Sequence, residues 1–339
     1  MFIAGSIEAF QHQFIQSLRN MLSPEEAGAF ILVLANSLQD ESLYAGLKNN
    51  IASMFREIQS KFRTNELVVT DDDRAVFQAL ERYGIESFSV WQSTRKDSWE
   101  IMFNPVRALR PARASNVLFD GIRRPFEANK FNFNKVFLRP EILWEDYWQQ
   151  TRLRVLYNKF PVVPYHLIIV PDPHQQLPQY LTATYHDMMW QLLLQQQTRL
   201  PGLGIGYNSL GACASVNQLH FQGFMREASL PIELQRWRHN GGDDPYPMNC
   251  IVFDSAQACW RKIDEYHQHH QPYNLLYRPG RCYVLPRVAQ GSDTVLLRVR
   301  GAGWIEQCGV FNVADHAELE SVITAELDHC LRSLSVSVE

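Results

Sequence analysis

The stretch GYNSLGACASVNQLHFQGF (206–224) places a histidine between two glutamines on one face of a predicted β-strand. Successive side chains of a strand point to opposite faces, so Gln218, His220 and Gln222 share a face. The small residues just before them, GACAS (211–215), let a ligand approach the backbone, whose N–H groups can bind phosphate. This pattern favours a site for a phosphorylated ligand.

His220 is the residue of this stretch best suited to chemistry. A neutral imidazole attacks phosphorus readily and leaves readily in the following step. The amides of Gln218 and Gln222 can donate to phosphate oxygens without competing for the proton. The structural alternative is a core histidine satisfied by its neighbours. The catalytic candidates are therefore His220, Gln222 and Gln218, and the substrate-binding candidates nearby are Asn208, Ser215 and Asn217.

A second segment, YNKFPVVPYHLIIVP (157–171), is typical of two strands joined by a proline-containing turn. Asn158 and Lys159 lie at the start of this turn, and Lys159 is a candidate phosphate partner. Arg107 and Arg110 follow a proline in FNPVRALRPARAS (103–115) and are further candidates for phosphate contacts. Surface arginines beside a loop are an equally good interpretation of that pair.

The two segments together resemble the histidine-triad superfamily in its transferase branch. The resemblance is greatest to the GDP-L-galactose and GDP-D-glucose phosphorylases and runs in patches from about Phe131 to Arg287. Dinucleoside tetraphosphate phosphorylases and galactose-1-phosphate uridylyltransferase are also similar. The resemblance implies that His220 forms a covalent nucleotidyl intermediate, that Gln222 faces the α-phosphate and that Asn158 holds the ribose.

Gln218 departs from the pattern, because those phosphorylases carry histidine at this position. In the superfamily the backbone carbonyl here accepts the Nδ1–H of the nucleophile, and any residue supplies that carbonyl. We therefore expect histidine at position 218 to preserve or raise turnover. The first histidine also helps to bind a structural zinc in the uridylyltransferases. We predict no metal site and no cofactor here, since no cysteine pair stands at ligand spacing.

The resemblance implies a nucleotidyltransferase that converts a nucleoside diphosphate sugar, GDP-hexose, and inorganic phosphate into hexose 1-phosphate and GDP. Two alternatives stay open. One is a dinucleoside tetraphosphate phosphorylase that uses the same nucleophile. The other is a nucleotide-binding protein that has lost turnover, in which case Gln218 in place of histidine would reflect that loss. The oligomeric state is open, a homodimer being one option.

Composition excludes several other classes. The 339 residues are 46% hydrophobic and 20% charged, which is ordinary for a globular protein and excludes a largely disordered chain. No apolar run approaches the length of a membrane span. A formal charge of −4 with scattered Lys and Arg predicts no nucleic-acid partner. The six cysteines without CxxC, and a start, MFIAGSIEAFQHQF, without signal-peptide features, predict a cytoplasmic location.

The chain is predicted to have an α+β fold, a histidine-triad-like antiparallel sheet with helices, duplicated as in the uridylyltransferases. Residues 1–85 form a helical N-terminal extension, with helices over 7–21, after Ser23 and after Thr70. Residues 86–224 form the half that carries the catalytic strand, and 225–339 a second half with its own sheet. Predicted strands include 87–92, 98–103, 131–138, 152–163, 166–170, 249–253, 273–277, 281–287 and 294–300. We expect 157–171 and 206–224 to lie side by side, with His220 facing an open pocket.

Overall fold

The fold is built on eleven strands in two sheets in the described part of the computed structural model, which comprises residues 2–64, 66–67, 69–109, 119–292, 294–296, 299 and 301–336. The strands are β1 (Gln92–Lys96), β2 (Trp99–Phe103), β3 (Ile142–Trp148), β4 (Thr151–Tyr157), β5 (Leu167–Pro171), β6 (Leu203–Asn208), β7 (Phe221–Met225), β8 (Ile251–Phe253), β9 (Tyr273–Arg278), β10 (Arg281–Pro286) and β11 (Val310–Val313). The larger sheet has the order β3-β4-β5-β7-β6-β9-β10-β8 and is antiparallel throughout.

Helices cover the sheet and form the start of the chain. They are α1 (Ile7–Met21), α2 (Ala27–Ser37), α3 (Glu41–Arg63), α4 (Asp71–Tyr83), α5 (Pro105–Ala108), α6 (Ala183–Gln196), α7 (Ala256–Gln268), α8 (Trp304–Gln307), α9 (Glu318–Ser321) and α10 (Thr324–Leu334). In the described ranges none of them combines the length and apolarity that crossing a membrane requires.

The large sheet contains the same unit twice. In each unit a strand is followed by a helix and two antiparallel strands, as β5-α6-β6-β7 and as β8-α7-β9-β10. The last strand of each unit lies between the other two, and the units join where β6 pairs with β9, from Ile205↔Tyr277 to Asn208↔Asn274. This order is the one that a two-fold relation between the units produces. The second half therefore extends the first sheet, and the prediction of a separate sheet is wrong.

The two units differ in the connection between their paired strands. A tight turn at Pro279 and Gly280, where Gly280 has a φ of 72°, joins β9 to β10. Residues 209–220 join β6 to β7 and carry His220. Of the two connections, only the longer one has enough chain to build a site beside the sheet.

The N-terminal helices pack against the first unit. Ser6 caps α1 by accepting the Ala9 N–H at 3.2 Å, and Thr70 caps α4 by accepting the Asp73 N–H at 3.2 Å. Helix α2 is apolar nearly all round and is enclosed by α1, α3 and α4. The rings of Phe14 and Tyr157 lie 4.6 Å apart and join α1 to β4. Helix α3 was not predicted, although its buried residues repeat at helical spacing.

A smaller sheet of order β1-β2-β11 brings the C-terminal part of the chain beside β2. Strand β11 runs parallel to β2, with Val310 opposite Glu100 and Val313 opposite Phe103. Parallel pairing requires a long crossover, and here it spans the whole large sheet. Residues 92–103 and 310–313, which are far apart in sequence, therefore lie side by side in this smaller sheet.

Four predicted strands are wrong in whole or in part. The one predicted over 152–163 ends at Tyr157, because the Asn158 side chain accepts the Phe160 N–H at 3.0 Å and stabilises a turn. The first strand begins at Gln92, because Phe88 and Trp91 pack against the helical core instead of extending a ladder. Residues 131–138 form turns and the start of a 3-10 helix, since the Asn132 side chain accepts the Asn134 N–H at 3.1 Å and stabilises a local turn. Within 294–300, the described positions 294–296 and 299 lie in a turn, a bend, irregular chain and a 3-10 helix, and none of them is in a strand. The boundaries predicted near 85 and 224 stay predictions.

Candidate active site

A cavity of about 1110 Å³ opens at the edge shared by β5, β6 and β7. Strand β5 pairs with β7, with Leu167 opposite Gly223 and Ile168 opposite Gln222, so the two motif segments lie side by side as expected. His220 and Gln222 both line the cavity, together with Asn158 and His166 from the second motif. The cavity also receives residues from the N-terminal helices and from the C-terminal part of the chain.

The backbone before β7 fixes the His220 ring. Its Nδ1 lies 2.7 Å from the Gln218 carbonyl oxygen, which can only accept, so Nδ1 carries the proton. Within the described ranges Nε2 has no hydrogen-bond partner, and the residue lines the cavity. Burial lowers the pKa of His220 to about 4, against the effect of the Gln218 carbonyl. At neutral pH the ring is therefore uncharged, with the lone pair of Nε2 free.

Gln179 holds the backbone of His220 and was not predicted as a site residue. Its side-chain oxygen accepts the His220 N–H at 2.9 Å, and its nitrogen donates to the carbonyls of Asn208 at 2.8 Å and His220 at 3.2 Å. Gln179 is fully buried. Both functional groups of this amide are thus used to join the end of β6 to the start of β7, which fixes the position of the imidazole.

Two rings orient the side chain of Gln222. His166 accepts the Val162 N–H on Nδ1 at 3.2 Å, so its proton lies on Nε2, which donates to the Gln222 oxygen at 3.0 Å. The indole N–H of Trp304 donates to the same oxygen at 2.9 Å. Burial lowers the pKa of His166 to about 3, which keeps that ring neutral. With its oxygen doubly occupied, Gln222 presents its NH₂ group to the cavity.

The side chains of Gln218 and Asn217 do not line the cavity, and the catalytic and substrate-binding roles expected of these residues stay predictions. The buried Gln218 side chain accepts the Phe133 N–H at 2.8 Å and donates to the Pro173 carbonyl at 3.2 Å. Asn217 accepts the Gln179 N–H at 3.0 Å and donates to the Pro125 carbonyl at 2.7 Å. Both side chains stabilise loops around the site, because β7 begins only at Phe221 and strand alternation does not govern the residues before it.

The other substrate-binding candidates divide between contact and support. Asn158, Ser215 and Arg107 line the cavity. Asn208 lines it too, but its side-chain oxygen accepts the Trp304 N–H at 2.9 Å and the Asn274 amide at 2.5 Å, so it mainly supports the sheet. The Arg107 guanidinium donates to the Phe160 carbonyl at 3.4 Å and lies 4.0 Å from the Glu306 carboxylate. Arg110 lies outside the described residues.

One lobe of the cavity has an aromatic wall. Phe133 lies against His220, with ring centroids 5.0 Å apart, and Phe131 lies 6.0 Å from Phe133 and 6.3 Å from Phe137. Phe131 and Phe137 are exposed, at 47% and 59% of their surface. Leu156 and Ile168 also line the cavity and pack in one cluster with Phe133. Exposed aromatic rings beside such an apolar wall are suited to stack on a planar ring.

The far end of the aromatic lobe is charged. Lys159 Nζ lies 2.5 Å from Asp73 Oδ1, and Glu141 lines the same end of the cavity. Burial raises the pKa of Glu141 to about 7, Lys159 opposes that rise, and Asp73 and Glu26 add to it. Lys159 was predicted from the sequence, whereas Asp73 and Glu141 were not, because nothing local places the first turn of α4 beside the site.

A second lobe, the polar lobe, comes from the C-terminal part of the chain and carries the polar side chains of Glu306 and Asn312 among apolar ones. Glu306 accepts the Gly303 N–H at 2.9 Å, and Asn312 lies on β11. Neither polar atom of the Asn312 side chain has a hydrogen-bond partner, although both are buried. Such orphaned groups are rare in folded proteins and call for an explanation such as a bound ligand or water. In the described part of the chain, no group of three or more His, Cys, Asp or Glu side chains is arranged to hold a metal ion.

Comparison with known proteins identifies similar chains. Residues 96–224 match the family model described as GDPGP1-like, N-terminal domain. GDP-D-glucose phosphorylase 1 of Homo sapiens is 35% identical over 122 residues, covering 33% of this chain and 30% of the human protein. The Danio rerio protein of the same name is 35% identical over 155 residues, covering 45% and 44%. GDP-L-galactose phosphorylase 2 of Arabidopsis thaliana is 26% identical over 186 residues, covering 49% and 42%.

These matches span less than half the length of each of those relatives. The crystal structure of yeast Ap4A phosphorylase Apa2 in complex with Ap4A has a TM-score of 0.51 to this chain at 17% identity, and the alignment covers 79% of this chain and 98% of the yeast one. The resemblance predicted from the two motifs is confirmed, and so is the histidine-triad-like α+β fold.

Proposed function

We propose that this chain is a nucleotidyltransferase that phosphorolyses a GDP-hexose, with His220 as the nucleophile. Nε2 of His220 attacks the α-phosphorus, the bond from that phosphorus to the bridging oxygen breaks, and hexose 1-phosphate leaves. Inorganic phosphate then attacks the guanylyl-histidine, releasing free His220 and GDP. The observation that carries the proposal is the His220 ring, whose Nδ1–H is held by the Gln218 carbonyl while Nε2 faces the cavity.

The protonation state of His220 suits this reaction. A pKa of about 4 means that the ring needs no deprotonation before it attacks at neutral pH. Attack places a positive charge on the ring, and the Gln218 carbonyl at 2.7 Å stabilises that charge through the Nδ1–H. Both leaving groups, a sugar phosphate and an imidazole, depart readily, so no strong general acid is required.

Gln222 would stabilise the charge that develops on the α-phosphate. Its NH₂ group faces the cavity, because His166 and Trp304 occupy the side-chain oxygen. A donor fixed before the substrate arrives costs no reorganisation in the transition state. Ser215 lines the same cavity, and the half-buried Arg107 guanidinium is a fixed positive charge for the phosphate chain.

The two lobes give the substrate a direction. The aromatic wall of Phe131, Phe133 and Phe137 suits the base, and Asn158, between that wall and His166, suits the ribose. The polar lobe around Glu306 and Asn312 suits the hexose, whose hydroxyl groups need both donors and acceptors. A cytoplasmic location and a homodimer, both expected from the sequence, remain predictions.

A dinucleoside tetraphosphate phosphorylase is the second candidate, because the yeast enzyme shares the fold and the same nucleophile would serve. The two nucleosides of that substrate would then occupy the two lobes. The polar lobe argues for a sugar, since stacking a second base would leave the unpartnered amide of Asn312 unused. The third candidate is a nucleotide-binding protein without turnover. An activity assay distinguishes it from the two enzymes, because only the enzymes convert a substrate.

The test is phosphate-dependent release of hexose 1-phosphate from GDP-glucose, GDP-galactose and ADP-glucose, and of ATP and ADP from diadenosine tetraphosphate. Wild type is expected to release hexose 1-phosphate from a GDP-hexose and to form an acid-labile, base-stable nucleotide adduct. The His220→Asn protein should still bind the nucleotide. Its turnover should be slower by on the order of 1,000-fold or more, as expected for loss of a nucleophile. His12→Asn, on the exposed side of α1, is the matched control. Full activity of His220→Asn, or turnover without an adduct, would mean that another group carries the chemistry.

A further inference from the structure

The charged end of the aromatic lobe carries one hydrogen-bond donor, Lys159, and two acidic acceptors, Asp73 and Glu141. The Lys159 ammonium is held by Asp73 at 2.5 Å, in a pair whose side chains are 23% and 15% exposed. Glu141 lies on the 3-10 helix Val136–Glu141, one turn after the Phe137 ring. Among the described residues the Glu141 carboxylate has no ion pair and no hydrogen bond, although it faces the cavity. In its ionised form it is therefore free to accept hydrogen bonds from a ligand; burial raises its pKa to about 7, and donors on a ligand would favour the ionised form.

This end of the cavity is a poor place for phosphate. Asp71, Asp73 and Glu141 line it, and Lys159 lies beside Asp73. Acidic groups gathered at this end disfavour a polyphosphate chain. A ligand end that is neutral and rich in hydrogen-bond donors fits better, and a planar one can stack on the neighbouring aromatic rings.

Guanine meets that description at its Watson–Crick edge. N1–H and the 2-amino group are adjacent donors that one carboxylate can accept together, and O6 and N7 are acceptors for an ammonium. Adenine presents an acceptor at N1 and a donor at its 6-amino group, so a carboxylate placed for guanine would face a lone pair. The position of an acidic and a basic group at this edge thus distinguishes the two purines.

We propose that Glu141 and Lys159, the latter held by Asp73, read the edge of the base and select guanine over adenine. The proposal rests on the proposed function and deepens it: it gives the base specificity to named residues and gives the first turn of α4, in the N-terminal helical extension, a place in the site. The unpartnered Glu141 carboxylate accepts N1–H and the 2-amino group, and the Lys159 ammonium donates to O6 or N7. Asp73 fixes the lysine before the nucleotide binds.

Calorimetric titration of the full chain with GDP, IDP and ADP tests the proposal. Inosine lacks the 2-amino group, so wild type should bind in the order GDP, IDP, ADP, with GDP roughly tenfold or more tighter than ADP. Glu141→Gln should bring the GDP and ADP affinities to within about threefold, because an amide can satisfy either base. Glu26→Gln removes an exposed charge that acts on Glu141 from outside the cavity, and it should keep the wild-type ratio.

The outcomes separate this proposal from the proposed function. Guanylyl transfer by wild type with equal affinities for GDP, IDP and ADP, or an unchanged ratio in Glu141→Gln, overturns base reading by Glu141 and leaves His220 catalysis intact. Absence of any nucleotide binding overturns both. If Glu141→Gln folds poorly, the comparison of GDP with IDP on wild type decides alone, since only a contact to the 2-amino group lowers the inosine affinity.

Discussion

Trp304 donates its indole N–H to the side-chain oxygen of Gln222 at 2.9 Å. The two residues come from the two halves of the chain: Gln222 lies on β7, and Trp304 begins α8 after the second unit of the sheet. The Trp304 ring also packs on Phe224 at 5.2 Å, so it is held in place from the same strand. The second half of the chain therefore orients the Gln222 amide of the site. It does so from α8, because the tight turn between β9 and β10 leaves no loop that could reach the site.

Trp304→Phe should lower turnover by roughly tenfold while nucleotide affinity changes little. The substitution keeps most of the ring but removes one of the two donors to the Gln222 oxygen, so the amide can turn its own oxygen toward the phosphate. Loss of a fixed donor acts on the transition state more than on binding. Steady-state kinetics give kcat, and calorimetry with GDP gives the affinity.

The matched control for that variant is Trp237→Phe. The Trp237 indole donates to the Pro231 carbonyl at 2.7 Å and is buried away from the cavity. It should cost similar stability and leave kcat unchanged. Equal effects of the two variants on kcat would show that Trp304 acts only through folding.

Gln218→His should lower the free energy of unfolding by about 1–3 kcal/mol and should not raise turnover. The structure gives the Gln218 side chain two buried partners, the Phe133 N–H and the Pro173 carbonyl. An imidazole cannot reproduce both bonds at the same spacing, so at least one backbone group is left unsatisfied. The expectation drawn from the sequence is that histidine at position 218 preserves or raises turnover, so the two expectations differ in a measurable way.

Denaturant unfolding and phosphorolysis assays measure the two effects, with Gln175→His, on the exposed 3-10 turn Pro173–Gln175, as the control. A Gln218→His protein as stable as wild type and faster in turnover would restore the sequence-based expectation. The Phe133 loop would then have to find another acceptor, which a crystal structure of the variant can show.

Local backbone geometry explains which site residues were predictable. Gln222 lies on β7 and His220 directly before it, and alternation placed both on the cavity side as predicted. Gln218 lies in the loop, where alternation has no force, and its side chain turns to the backbone of Phe133 instead. The error at 131–138 has the same origin: the Asn132 side chain stabilises a local turn that β-propensity does not describe.

The remaining walls of the cavity depend on contacts between distant parts of the chain. Asp73 reaches Lys159 across 86 positions, and Trp304 reaches Gln222 across 82. No periodic pattern in either segment encodes such a meeting, which depends on how α4 and α8 pack on the sheet. The fold class was predictable from the family resemblance that the two motifs carry, whereas the joining of the halves through β6 and β9 was not.

Acid should destabilise the folded state from about pH 6.5 downward. Burial lowers the pKa of His220 to about 4 and of His166 to about 3, against an ordinary value of 6.5. Between these limits the unfolded chain binds protons that the folded chain excludes, so the free energy of unfolding falls as pH falls. Each ring contributes up to about 1.4 kcal/mol per pH unit in that window. Glu141, whose pKa burial raises from 4.5 to about 7, acts with the opposite sign and offsets at most one such contribution. Urea denaturation between pH 7.5 and 4.5 measures the slope.

The His220→Asn variant lacks one of the two titrating rings. Its free energy of unfolding should therefore fall less steeply with falling pH, by up to about 1.4 kcal/mol per pH unit. His12→Asn, exposed on α1, should keep the wild-type slope. The same slope in wild type and His220→Asn would mean that His220 is protonated in the folded state, contrary to a neutral nucleophile. The nucleophile itself stays uncharged from pH 6 to 8, so kcat should show no loss in that range from titration of His220.

Asn312→Leu should stabilise the free protein and weaken binding of the sugar-bearing substrate. Both polar atoms of Asn312 are buried without a partner, so an apolar side chain of similar shape removes a cost of about 1 kcal/mol, a rise in Tm of roughly 2 °C. If these atoms serve the hexose, KM for a GDP-hexose should rise about tenfold while GDP, which lacks the sugar, binds as before. Gln196→Leu is the matched control, because the Gln196 oxygen is also buried and unpartnered but lies on α6 outside the cavity. It should gain stability without any change in KM. A stabilised Asn312→Leu protein with wild-type KM would place the hexose elsewhere and leave the orphaned amide of Asn312 to water.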